Sequence, residues 1–162
     1  MLAYSETPAM LGNADPTPRI RVYSNGRVLV HFPVYMKKAG QYELWLSEAE
    51  LEQLLTLASK LVGNDGAVAS ARLDEALQTE AEATGFAQYR SDSMIETLDL
   101  NIEKFKAGAN VAATSMEETI TWKHKEFSSA AYPQVQGLAD MEALRNAIKE
   151  ITSSDELEVV QP

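Results

Sequence analysis

Few residues of this chain could carry catalysis or bind a metal. The 162 residues contain no cysteine and only two histidines, His31 and His124, far apart in the sequence. The absence of cysteine excludes a disulfide scaffold, a cysteine-ligated zinc site, an iron–sulfur cluster and a thiol nucleophile. A hydrolytic triad would need a histidine beside a serine and a carboxylate, and no local pattern supplies one. We expect both histidines to be ordinary side chains, His124 within the core.

Short motifs for cofactor chemistry are also missing. The sequence has no glycine-rich phosphate loop, no nucleophile elbow, no paired-histidine helix and no EF-hand spacing. We therefore predict no catalytic residue and no cofactor. Trp45 and Trp122 stand singly, and we interpret both as residues that pack a sheet.

Three residues with side-chain oxygen atoms could form a metal site. Asp99, Asn101 and Glu103 alternate along one predicted strand, a pattern that could suit calcium. The next strand carries Lys123 and Lys125 on its own polar face. Cross-strand ion pairs would account for both sets, and nearby ammonium groups would compete with a cation. We predict no metal site.

The charge balance restricts the classes of partner. The chain has 14 basic and 24 acidic residues, a net charge of −10. This argues against a nucleic-acid binder and against adhesion to anionic membranes. Residues 1–46 nevertheless carry five basic and three acidic side chains, so one end is mildly basic. Such a dipolar protein can orient a partner during encounter.

Residues 1–18 give the prediction for the amino terminus. They contain three prolines, no lysine or arginine and no long apolar run. This composition predicts a flexible leader and not an intact signal peptide. It favours a cytoplasmic location, although a mature exported protein whose signal peptide has been removed could have the same composition. No apolar run approaches the ~20 residues needed to span a bilayer.

The clearest structural pattern is a β-hairpin over residues 19–32. A two-residue Asn-Gly turn would mix polar and apolar groups on both faces. A three-residue loop, Ser24 to Gly26, pairs Tyr23 with Arg27 and separates the faces cleanly. Since a slip of one residue inverts a strand's faces, we predict the three-residue loop. The inward residues are then Ile20, Val22, Val28, Val30 and Phe32.

The outward face of this hairpin is the predicted partner-binding site. Tyrosine and arginine are enriched where proteins bind one another. An ordinary solvated sheet face is the alternative interpretation. Including the connection that follows, the predicted binding residues are Arg21, Tyr23, Arg27, Leu29, His31, Tyr35 and Lys37.

The remaining elements are predicted from periodicity and capping signals. A third strand covers 41–46, with Tyr42, Leu44 and Leu46 inward. Ser47 and Glu50 form a capping box before a helix that runs to Gly63. Residues 64–93 are a loosely ordered or helical excursion. Two half-buried strands, a helix over 138–151 and an acidic tail over 152–162 complete the chain.

These elements predict an α+β fold. We expect one antiparallel sheet of about five strands, in the order β-β-β-α-excursion-β-β-α, with the helices on one face. Residues 19–151 would form a single domain between the leader and the tail.

The layout resembles the emfourin-type protein inhibitors of metallopeptidases. The residues that carry the resemblance are Gly26, Gly40, Leu46, Ser47, Glu50, Leu54, Leu55 and Asp92. It covers about two thirds of the chain, but the Gly-Gly-Phe-type hairpin expected in that family is absent. The resemblance implies a protein-binding role and identifies no inhibitory residue.

We therefore expect a non-catalytic protein-binding domain: an inhibitor, an immunity-type protein or an accessory protein with an acidic partner. A small-molecule binder is the alternative, with its ligand between the sheet and residues 64–93 near Trp45 or Trp122. An enzyme that uses carboxylates and tyrosine is a third possibility. It would need a buried carboxylate with a raised pKa in a cleft.

Overall fold

The computed structural model describes residues 1–8, 15–62, 64–86, 94–106, 109–110, 112–123, 125 and 127–160. Seven strands form one antiparallel sheet in the order β6-β5-β1-β2-β3-β4-β7. Their bounds are β1 Leu2–Pro8, β2 Ile20–Val22, β3 Arg27–Phe32, β4 Gly40–Trp45, β5 Met94–Phe105, β6 Thr114–Trp122 and β7 Glu158–Val159.

Three helices cover one face of this sheet, so the predicted α+β architecture is confirmed. They are α1 Glu48–Leu61, α2 Asn64–Thr84 and α3 Leu138–Thr152. Buried residues of the helices, such as Leu54, Ala69 and Leu144, belong to one apolar core with the inward strand residues. None of the described helices is long and apolar enough to cross a bilayer.

Helix α1 begins as predicted. The Ser47 hydroxyl accepts a hydrogen bond from the Glu50 amide at 3.3 Å, and the Glu50 carboxylate accepts one from the Ser47 amide at 2.8 Å. Two amides that the helix leaves unpaired are thereby satisfied. Leu54, Ala58 and Leu61 are its buried residues. Gly63, the predicted stop, lies outside the described residues.

The prediction of a flexible leader over residues 1–18 is wrong for its first part. Leu2–Pro8 form β1, which lies between β2 and β5 near the middle of the sheet. Leu2 and Tyr4 are each 1% exposed. The three prolines of residues 1–18 favour a flexible segment. However, Pro8 lies at the last position of β1, and Pro16 and Pro18 lie beyond the strand.

The segment after α1 is helical, which was one of the two predicted alternatives. Residues Asn64–Thr84 form α2, and Leu73 on this helix packs with Tyr132, Val135 and Leu138 in a second, small apolar cluster. Leu77, which is partly buried, packs against the same cluster. Residues 87–93 and His124 lie outside the described residues.

The predicted acidic tail contains one further pairing. Glu158 and Val159 form β7, which pairs with Glu43 and Tyr42 of β4. Strands β1 and β7 therefore raise the number of strands from the predicted five to seven.

Candidate functional site

The β2–β3 hairpin has the predicted three-residue loop. The Tyr23 amide donates to the Arg27 carbonyl at 2.9 Å, and the Gly26 amide donates to the Tyr23 carbonyl at 3.1 Å. Gly26 has a φ of 85°, the left-handed conformation that glycine adopts without a steric penalty. The Asn25 side-chain oxygen accepts from the Arg27 amide at 3.1 Å. The predicted register is therefore confirmed.

This register sorts the hairpin residues onto two faces. The five inward residues are all buried against the helices, at 6% exposure or less, whereas Arg21 and Leu29 are half-buried on the other side. We call that other side of strands β1–β4 the open face, since no described helix packs on it. Across it, Ala3 lies opposite Arg21, Arg21 opposite Leu29, and Leu29 opposite Glu43.

A neighbouring row of the open face brings three large side chains together. Tyr23 pairs with Arg27 at the hairpin loop, and Arg27 lies opposite Trp45 in β4. Cross-strand partners have Cβ atoms about 4.5–5.5 Å apart, so their side chains are neighbours. Tyr23 just after β2, Arg27 at the start of β3 and Trp45 at the end of β4 thus form a contiguous row.

Trp45 is a candidate contact residue that is absent from the predicted partner-binding site. It is 58% exposed, so the interpretation as a packing residue is wrong, whereas Trp122 is wholly buried as expected. Strict alternation with Tyr42, Leu44 and Leu46, which are predicted inward, places Trp45 outward. A tryptophan left largely in water on a sheet face is a candidate contact residue.

The two arginines of the open face differ in their partners. The Arg27 guanidinium forms an ion pair with Glu43, with Nη2 at 2.7 Å and Nε at 2.8 Å from the same oxygen. Both side chains are partly exposed, so the pair orients Arg27 more than it stabilises the fold. The Arg21 side chain forms no ion pair or hydrogen bond within the described part of the chain. Arg21 is therefore the cation available for a partner.

His31 is held by a local network. Its Nε2 lies 2.6 Å from the Asp15 carboxylate, and its Nδ1 lies 3.0 Å from the side-chain nitrogen of Gln41. The hydrogen bond with His31, followed by one from the Thr17 amide, lowers the pKa of Asp15 to about 2. Both ring nitrogens are engaged, so His31 has less capacity than predicted to contact a partner.

Tyr35 and Lys37 are separated from Tyr23 and Arg27 at the hairpin loop. They lie in the turn between β3 and β4, with Tyr35 82% exposed and Val34 beside it 90% exposed. This turn is at the opposite end of β3 from Arg27, a rise of about 17 Å for a six-residue strand. The Arg19 guanidinium lies over the Phe32 ring, with its carbon 4.6 Å from the ring centroid.

A second polar cluster is buried between β1, β5 and α3. Glu96 is fully buried, and Arg145 binds its two carboxylate oxygens through Nε and Nη2, each at 2.7 Å. The Tyr4 hydroxyl donates to Glu96 and lies 2.9 Å from Glu6. Burial, and then the charges of Glu96 and Glu6, raise the pKa of Tyr4. Burial alone would lower the pKa of Arg145, but Glu96 outweighs it and the pKa is raised.

The acidic row of β5 does not form the expected ion pairs. The register of β6 places Thr119 opposite Asp99, and the Thr119 hydroxyl donates to the Asp99 carboxylate at 2.7 Å. Lys125 pairs with Glu6 instead, at 3.1 Å. Among the described residues, no group of three or more histidine, aspartate or glutamate side chains could hold a metal ion.

Comparisons with known proteins found no matching family model, no matching curated protein and no matching solved structure. The resemblance to emfourin-type inhibitors therefore rests on the layout and the quoted residues alone.

Proposed function

We propose that this chain is a non-catalytic protein-binding domain that holds an acidic partner against its open face. The single observation that carries the proposal is the row Tyr23–Arg27–Trp45 beside Arg21, which has no partner among the described residues, on a sheet face that no described helix covers. Tyrosine, tryptophan and arginine are the residue types that contribute most to protein-binding energy.

The layout of the open face fits the anatomy of a protein interface. Leu29 supplies an apolar centre, and its strand neighbours are Arg21 and Glu43. Glu43 fixes the guanidinium of Arg27, which reduces the conformational entropy that Arg27 would lose on binding. A preorganised arginine between two aromatic residues is suited to a partner's carboxylates and apolar side chains.

The state of the buried carboxylate favours this function over catalysis. An enzyme built on carboxylates and tyrosine needs a carboxylate that substrate can reach. Glu96 is 0% exposed, and its oxygens are occupied by Arg145 and Tyr4. The cluster is thus suited to fastening α3 to the sheet. Domains with no catalytic role include inhibitors, immunity-type proteins and accessory subunits, and the proposal covers all three.

The small-molecule alternative receives less support in its predicted form. Trp122 is wholly buried, and Trp45 borders a cleft lined by residues of β4, α1 and α3 and the segment after α3. No residue of α2 is among the described residues that line this cleft. The ligand site expected between the sheet and residues 64–93 is therefore not the site that Trp45 borders.

The proposal is tested by charge reversal at Arg21. Arg21→Glu should abolish capture of the partner from an extract of the native organism, because it places a carboxylate against an acidic surface. Lys104→Glu, the same charge change at an exposed residue of β5, is the matched control and should retain capture. Equal capture by both variants would rule out the open face as the binding surface.

A further inference from the structure

A cleft next to the open face has the composition of a cation site. It has a volume of about 210 Å³ and lies where the end of β4 meets α1, α3 and the segment that follows α3. Its lining is mixed, with apolar residues such as Leu46, Leu54 and Ile151 beside polar and acidic ones. Trp45 stands at its border with the open face, 58% exposed.

The charges of the lining all have one sign. Glu50, Glu150 and Glu156 line the cleft, and no lysine, arginine or histidine is found among its described lining residues. Glu150 and Glu156 are exposed, and no described residue bonds to their carboxylates. Glu50 is oriented by Ser47, whose hydrogen bonds lower its pKa. The last turn of α3 adds a partial negative charge, because Glu150 and Ile151 lie at its carboxyl end.

We propose that this cleft receives the long basic side chain, arginine or lysine, of the protein that binds the open face. The apolar lining suits the methylene stem, the three carboxylates suit the cationic end, and the exposed indole can add a cation–π contact. The volume is below the roughly 300–1,000 Å³ of pockets for drug-sized ligands, so it suits one side chain. That the basic side chain belongs to the open-face partner rests on the proposed function, whereas the cation site in the cleft does not.

The surface of the partner would then carry both acidic and basic residues. Its acidic residues would face Arg21 and Arg27, and one protruding basic residue would pass Trp45 into the cleft. Since Trp45 belongs to both surfaces, the two contacts are continuous. Opposite charges placed side by side fix the orientation of a complex more firmly than a single charged patch does.

The test uses N-acetylarginine amide as the probe and the indole ¹H–¹⁵N signal of Trp45 as the readout. The chain has two tryptophans, and Trp45→Phe assigns the signals. We expect a saturable shift of the Trp45 signal with the arginine probe, and none with the neutral isostere N-acetylcitrulline amide. The Trp122 signal should not move, because that ring is wholly buried.

The double variant Glu150→Gln/Glu156→Gln should weaken probe binding at least fivefold. The double variant Glu75→Gln/Glu117→Gln removes the same charge at two exposed residues of α2 and β6 and should bind as the wild type does. A shift of equal size with the citrulline probe, or unchanged affinity in Glu150→Gln/Glu156→Gln, would overturn the proposal.

The open-face variant Arg21→Glu separates this inference from the proposed function. It should lose the partner and keep the arginine probe. Probe binding without any open-face partner would refute the proposed function and leave the cation site standing. Partner capture without probe binding would refute the cation site and leave the proposed function standing.

Discussion

Two side-chain contacts, Glu96–Arg145 and Asp15–His31, are indicated by no pattern in the sequence. From the sequence alone, Glu96 occupies an inward position of a half-buried strand, and Arg145 is a polar residue of an amphipathic helix. Their pairing joins β5 to α3 across 49 residues and brings Tyr4 into the same cluster. A buried ion pair is costly to break, because the partner left behind keeps its charge without compensation.

Removing one partner of this pair should therefore destabilise the protein strongly. We expect Arg145→Met to reduce the free energy of unfolding by about 3–5 kcal/mol, measured by urea denaturation. The double variant Glu96→Leu/Arg145→Met removes both charges and should lie within about 1 kcal/mol of the wild type, since no buried charge is left unpaired. Additive losses in the double variant would show that the two residues are not coupled.

The contact between Asp15 and His31 predicts a pH dependence. The folded pKa of Asp15 is about 2, below its ordinary value near 3.8. A lowered folded pKa contributes stability above the unfolded pKa, and this contribution is lost as the pH falls from about 4 to about 2. Carbon-detected NMR titration should give Asp15 a midpoint near 2 in the wild type and a higher one in His31→Gln. An unchanged midpoint in His31→Gln would contradict the assignment.

At the scale of elements, the hairpin and α1 follow from local rules. The separation of polar and apolar residues over 19–32 predicts the register, and the Ser47–Glu50 capping box predicts where α1 begins. The strand β1 could not be found in this way, because its pairing with β5 joins residues about 90 positions apart. The sequence of Leu2–Pro8 has only a short alternation, and the sheet around it supplies the stability.

Gly26 is the most sensitive position of the hairpin. A Cβ at this position would lie 2.6 Å from the Leu46 carbonyl oxygen, in a backbone with a φ of +85°. Gly85 has a similar φ of +73° but open space around it. We expect Gly85→Ala to cost about 1 kcal/mol from backbone strain alone, and Gly26→Ala to cost clearly more. Equal losses in thermal or urea unfolding would contradict the close approach of Leu46.

At the scale of the whole molecule, the two faces of the sheet have different surroundings. One face is covered by three helices and holds the apolar core, and the other presents a row of aromatic residues and arginine. The outward positions of Arg21, Tyr23, Arg27 and Leu29 could be predicted because they depend on alternation within one hairpin. The position of Trp45 beside Arg27 and the cleft depends on the pairing of β4 and the packing of two helices.

Quantitative capture at several salt concentrations distinguishes an open face that binds a partner from an ordinary solvated sheet face. The wild type and Lys104→Glu should recover the same stoichiometric partner from an extract of the native organism, with recovery that falls as salt rises. Arg21→Glu and Tyr23→Ala should each lose it. Full recovery of that partner by both open-face variants would contradict the account.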